Sequence, residues 1–189
     1  MYTYHNIICI TNRKICNINF EKRINQICKK HPKSIILREK DMSEKDYLHL
    51  AENIIKITNK NNTELILHNF INAAMELGIK KIHLPLQKAE ENKSQLKYFN
   101  TVGISVHSKE EAKKAMMLGA SYITAGHIFE TDCKKGLKGR GLDFLKDIKD
   151  TSNIPVYAIG GINKNNIEKT LSAGADGVCI MSEFMKGNI

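Results

Sequence analysis

At 189 residues, 42% of them hydrophobic, the chain has enough apolar side chain for one buried core and lacks the composition of a disordered protein. Its net charge of +9 comes from scattered lysines with no block of five or six basic residues, which argues against a nucleic-acid partner and suits an anionic small substrate. No apolar run approaches the roughly 20 residues of a membrane span, and Met1-Tyr2-Thr3-Tyr4-His5-Asn6 has neither part of a secretory signal, so no membrane partner and a cytoplasmic location are expected.

Cys9, Cys16, Cys28, Cys133 and Cys179 make an odd set without Cys-x-x-Cys spacing. They predict reduced thiols, and neither a disulfide framework nor a zinc site. In chain order, Ile7, Ile8, Cys9 and Ile10, ending in Thr11, predict a first strand. Phe20, Ile24, Ile27 and Cys28 recur at helical spacing. Residues 34–38 predict strand two, with Glu39 and Lys40 leaving its end. Ser43 caps a helix with Tyr47, Leu50, Ala51, Ile54 and Ile55 on one stripe. Residues 64–68 form strand three, 72–77 a short helix stopped by Gly78, and 81–84 strand four.

Residues 85–101 are polar and predict no more than a brief helix. Residues 102–106 form strand five, and Ser108-Lys109-Glu110-Glu111 is a capping box opening the next helix. Strand six covers 122–125 and a helix follows over 142–148. Strand seven covers 155–159, Asn163 opens a helix ending near Gly174, strand eight covers 177–181, and a last helix starts at Ser182. Gly78, Gly119 and Gly174 each follow an apolar helix end and precede a strand, a weak internal repeat. Eight short apolar strands alternating with helices predict an α/β protein: a compact, single-domain (β/α)8 TIM barrel over residues 1–189. A doubly wound sheet is disfavoured, since no Gly-x-Gly-x-x-Gly follows strand one.

Such barrels work at the carboxyl ends of their strands. That rule selects Arg38 and Lys40, His68 and Asn69, Ser105 and His107, the 126–141 loop, Gly160 with Gly161, and Ser182. Gly160-Gly161 and Met181-Ser182 stand where a barrel phosphate site is usually built; the plainer alternative is that the glycines only make a tight turn. His127 opens the long loop and is the candidate catalytic group, able to take and return a proton near neutrality. His83 and His107 are read as fixing strand ends. Glu130 and Asp132 lie beside Lys134 and Lys135, so ion pairs fit them as well as a metal does. No metal site and no cofactor is expected, and the state of oligomerisation, including a homo-oligomer, is left open.

Three segments carry a family resemblance: Gly103-Ile104-Ser105-Val106-His107-Ser108, Gly126-His127-Ile128-Phe129-Glu130-Thr131-Asp132-Cys133-Lys134-Lys135-Gly136, and Ala158-Ile159-Gly160-Gly161-Ile162. They resemble the thiamine phosphate synthase/TenI superfamily of (β/α)8 barrels, most clearly over 100–185. The resemblance implies a phosphorylated thiazole as small-molecule partner. The synthase branch couples thiazole phosphate to hydroxymethylpyrimidine pyrophosphate with Mg²⁺. Its strand three typically ends in Asn-Asp, its strand four is followed by Gly-Gln and an acid, and its loop has Gly-Pro. Here those positions read His68-Asn69, Pro85-Leu86-Gln87 and Gly126-His127. The loop is closer to the TenI branch, which implies a cofactor-independent thiazole tautomerase, an isomerase with His127 moving the proton. In that reading Gly160, Gly161 and Ser182 hold the phosphate, Arg38, Lys40 or Lys134 faces a carboxylate, and Ser105, Thr131, Cys133 and Met181 complete the binding site. The synthase and a non-catalytic thiazole phosphate-binding regulator are the alternatives.

Overall fold

The computed structural model describes residues 4–131 and 136–188. Eight parallel strands close into a barrel in sequence order, and β8 (Gly177–Ile180) pairs back onto β1 (Ile7–Ile10). The others are β2 (Ser34–Leu37), β3 (Leu65–His68), β4 (Lys81–Pro85), β5 (Thr101–Val106), β6 (Tyr122–Gly126) and β7 (Val156–Ile159). The expected (β/α)8 barrel is the observed fold.

The strands read as unbroken apolar runs because both faces are buried. Ile7, Cys9, Ile35, Leu37, Leu65 and Leu67 point outward into the layer shared with the helices. Ile8, Ile10, Ile36 and Ile66 point inward, joined by Tyr122, Tyr157 and Cys179. Tyr122 and Tyr157 meet edge to face, with ring centroids 5.5 Å apart, and fill the amino-terminal end of the barrel. Gly103 and Gly177 make this possible, since a β-carbon at either would overlap one of these rings.

The connecting helices are α1 (Phe20–Cys28), α2 (Glu44–Lys60), α3 (Ile71–Glu76), α4 (Leu86–Glu91), α5 (Lys93–Leu96), α6 (Lys109–Met117), α7 (Gly141–Thr151), α8 (Ile167–Ser172) and α9 (Ser182–Lys186). Ser43 caps α2 by accepting from the Asp46 amide at 3.2 Å. Ser108 caps α6, while the Glu111 carboxylate reaches back to the His107 amide at 2.6 Å, one residue before the expected position.

Three expectations are corrected. Residues 85–101 hold two short helices, α4 and α5, whose buried contacts are few: Ala89 and Leu96. Asn163 does not start α8. Its side chain accepts from the Asn165 amide at 3.0 Å in a turn that delays the helix to Ile167. α7 is longer than 142–148, because Leu145 and Ile148 anchor a face that continues to Thr151.

Candidate active site

The carboxyl ends of the strands surround a cavity of ≈ 1100 Å³. Arg38, Lys40, Ser105, His127, Thr131, Gly160, Gly161, Met181 and Ser182 all line it, with His68 and His107, while Asn69 does not. Cys133 and Lys134 lie outside the described residues, as do Asp132 and Lys135.

Above β1 and β2, successive side chains face opposite ways, as an extended chain requires. Arg38 and Lys40 face the cavity, and Glu39 between them turns away and is 2% exposed. Its carboxylate accepts from the Thr11 hydroxyl at 2.7 Å, the Arg13 amide at 3.0 Å and the Arg13 guanidinium at 3.0 Å. Arg13 also forks onto Asp41 at 2.7 and 2.6 Å, which holds the Asp41 carboxyl below the usual carboxylate range. The Thr11 oxygen accepts from the Arg38 amide at 2.9 Å. This clasp fixes the backbone that presents the two cations. From beneath, the Tyr47 hydroxyl donates to the Leu37 carbonyl at 2.7 Å and accepts from the His68 amide at 3.0 Å.

The cavity floor is polar. One His83 nitrogen is hydrogen-bonded to Ser105 at 2.8 Å and the other to Tyr122 at 3.0 Å, and Thr124 donates to Ser105 at 3.1 Å. The His68 ring stacks on His83 with centroids 5.9 Å apart, and its buried Nδ1 has no partner among the described residues. Burial, then Lys40, pushes His83 down to about 3. Burial, the neighbouring His83 and the cations Arg38, Lys40 and Lys88 push His68 down too. Both rings are therefore neutral at physiological pH, His83 with both nitrogens engaged by Ser105 and Tyr122 and His68 with its Nδ1 unpartnered among the described residues. The expectation that His83 only fixes a strand end is corrected: it points into the barrel.

The third wall pairs His127 with Gly160 and Gly161. The His127 Nε2 lies 3.1 Å from the Lys138 carbonyl and Nδ1 is buried without a partner among the described residues. With Nε2–H donating to Lys138, Nδ1 is left as a buried acceptor. Gly160 and Gly161 have φ of +100° and +64°, and a β-carbon on them would overlap His127 and the 129–130 backbone. The glycines thus both make the turn and let the 126–130 segment lie against it.

Sequence reasoning did not single out Thr11, Arg13, Glu39 or Thr124. Period-two alternation was the available signal: Glu39 must oppose Arg38 and Lys40, and Thr124 must share the inner face with Tyr122. No helix among the described residues is long and apolar enough to cross a membrane.

Among the described residues, none form a set that fits Mg²⁺, which the synthase branch of the resemblance uses. No cluster of three or more His, Cys, Asp or Glu suited to a metal occurs among the described residues. Glu39 is held in the clasp. After β3, Asn69 takes a left-handed φ of +73° with its amide on the His83 carbonyl, and neutral imidazoles line the wall. A hard cation seeking carboxylate oxygen finds none after β3 among the described residues, the lining carboxylates Glu130 and Glu183 standing after β6 and in α9.

Fold and cavity define a (β/α)8 barrel with an anion-receptive mouth over a polar floor. The family model described as thiamine monophosphate synthase matches residues 7–184, and the chain belongs to that family. A thiamine-phosphate synthase of Clostridium acetobutylicum is 34% identical over 187 residues, covering 96% of this chain and 87% of that protein. One from Fusobacterium nucleatum is 35% identical over 185 residues, covering 95% and 88%. The solved thiamine phosphate pyrophosphorylase of Pyrococcus furiosus superposes with a TM-score of 0.84 at 26% identity, covering 97% of this chain and 88% of that one.

These relatives overturn the tautomerase expectation. They match along nearly the whole chain and carry the synthase name, so the enzyme class indicated is a transferase and not an isomerase. The TenI reading leaned on the 126–136 loop and on the departures at His68-Asn69 and Pro85-Leu86-Gln87, and part of the loop, 132–135, lies outside the described residues.

Proposed function

We propose that the chain is a thiamine-phosphate synthase, joining a thiazole phosphate to a hydroxymethylpyrimidine pyrophosphate. Its family and the names of its relatives support this. The observation that carries it is one cavity with two separate anion-receptive walls: cations after β2 and a glycine turn after β7. A coupling of two phosphorylated rings needs both.

In this reading a bond forms from the thiazole nitrogen to the pyrimidine methylene carbon. That carbon's bond to the pyrophosphate oxygen breaks, and pyrophosphate leaves with the electron pair. Arg38 and Lys40 stabilise the charge growing on the leaving group. Gly160, Gly161, Met181 and Ser182 hold the thiazole phosphate. Ser105, with His83 and Thr124, orients a ring on the floor. His127 and Thr131 bound the substrates at the end of β6, while Cys133 and Lys134 lie outside the described residues. Holding both rings in register is the main catalytic contribution.

The test is incubation of the purified chain with the two phosphorylated halves, following thiamine phosphate and pyrophosphate. Stoichiometric appearance of both is expected. Binding of thiazole phosphate with no coupling would replace this reading with that of a regulator.

A further inference from the structure

The hydrogen bonds under the cavity run in one direction. They begin at Tyr122, whose ring meets Tyr157 edge to face and whose hydroxyl occupies the space a β-carbon at Gly103 would need. Burial pushes the titration of this phenol up, so it keeps its proton. Its hydroxyl has a single partner among the described residues, Nδ1 of His83 at 3.0 Å. A buried donor without an acceptor is tolerated less than an unfilled lone pair. Tyr122 therefore donates, and Nδ1 accepts.

His83 is neutral, so a ring whose Nδ1 accepts carries its proton on Nε2. Nε2–H then donates to the Ser105 oxygen at 2.8 Å. The Thr124 hydroxyl donates to that same oxygen at 3.1 Å. A serine oxygen has two lone pairs, and both are now filled. The Ser105 proton meets no acceptor among the described residues, and Ser105 lines the cavity. What the floor offers at this point is a donor alone. A ring N–H placed against it would set two donors face to face, with no lone pair between them.

We propose that Ser105 is a specificity-determining residue. Held as a donor by Tyr122 and His83 on one side and by Thr124 on the other, its hydroxyl admits a ring atom with a free lone pair and turns away one that carries N–H. That the ring is a pyrimidine rests on the synthase reading. The direction of the donor rests on the hydrogen bonds themselves.

Two measurements on the full chain test it. NMR of the imidazole nitrogens should find the His83 proton on Nε2, with its signals identified by their loss in His83→Gln, or by their shift in Ser105→Ala if the first does not fold. A proton on Nδ1 overturns the proposal. Calorimetric titration then compares hydroxymethylpyrimidine pyrophosphate with its lactam counterpart, whose ring carries N–H in place of a lone pair. The lactam should bind at least about tenfold more weakly. Thr124→Val returns one lone pair to Ser105 with little change of shape and should narrow the gap to under about threefold, as should Ser105→Ala if the first does not fold by thermal melting. Equal affinity for the two rings in the unaltered chain overturns the proposal, and so does a gap that persists undiminished in the folded variant. A chain that shows the gap but does not couple the two phosphorylated halves leaves this inference standing and removes the synthase reading. A chain that couples them yet takes both rings equally does the reverse, and one that binds neither ring removes both.

Discussion

His83 shows how a single buried ring ties stability to acidity. Its folded-state titration is pushed down to about 3, from an ordinary value of 6.5. Between those values the unfolded chain binds a proton that the folded chain refuses. Stability is fully present above pH 6.5 and falls as the pH drops through this window. At pH 5 the loss from His83 alone is about 2 kcal/mol. Urea unfolding at pH 7 and pH 5 should show it, and His83→Gln should flatten the difference. An equal slope in the variant would assign the effect elsewhere. That His83 points inward was readable from its place two residues from Lys81 and Pro85 in a strand. Its neutrality was not, because burial and the nearness of Lys40 arise only once the barrel closes.

At the scale of elements, the clasp between the ends of β1 and β2 is the joint on which the cation wall hangs. Removing the Glu39 carboxylate strips three donors of their acceptor and leaves Arg13 with Asp41 alone. Glu39→Ala should cost about 2 kcal/mol, reduced from the usual figure for a buried pair because Arg13 is partly exposed. It should also raise KM for the pyrophosphate-bearing substrate more than it lowers kcat. Urea unfolding and steady-state kinetics check both, and a KM unchanged from wild type would detach the clasp from binding. Strands were legible because burial on both faces writes them as plain apolar runs, Ile7 to Ile10 being the clearest. α4 and α5 were not legible, since two short helices resting on Ala89 and Leu96 leave no stripe. The clasp was hidden for another reason: Glu39 is 28 residues from Thr11 and 26 from Arg13 and meets them only through strand pairing.

Across the whole molecule, a net charge of +9 surrounds a mouth built for anions. Such a field draws substrate in from solution, and salt screens it over about 10 Å at 0.1 M. kcat/KM should therefore drop several-fold between low salt and 0.3 M NaCl while kcat changes little. Kinetics in a salt series would show this, and a flat series would mean that capture depends on the local wall alone. Barrel closure was legible from eight strand signals and the recurring helix–glycine–strand pattern. The branch of the family was not, because the loop and the two strand ends that suggested it are a small part of a chain that aligns with synthases over nearly its whole length.

Tyr122 and Tyr157, wedged edge to face over Gly103 and Gly177, leave the barrel no back door. Whatever lodges against His83 has to retreat past anything resting above it. Traffic is then a queue in a blind alley, in which the deeper guest arrives first and departs last.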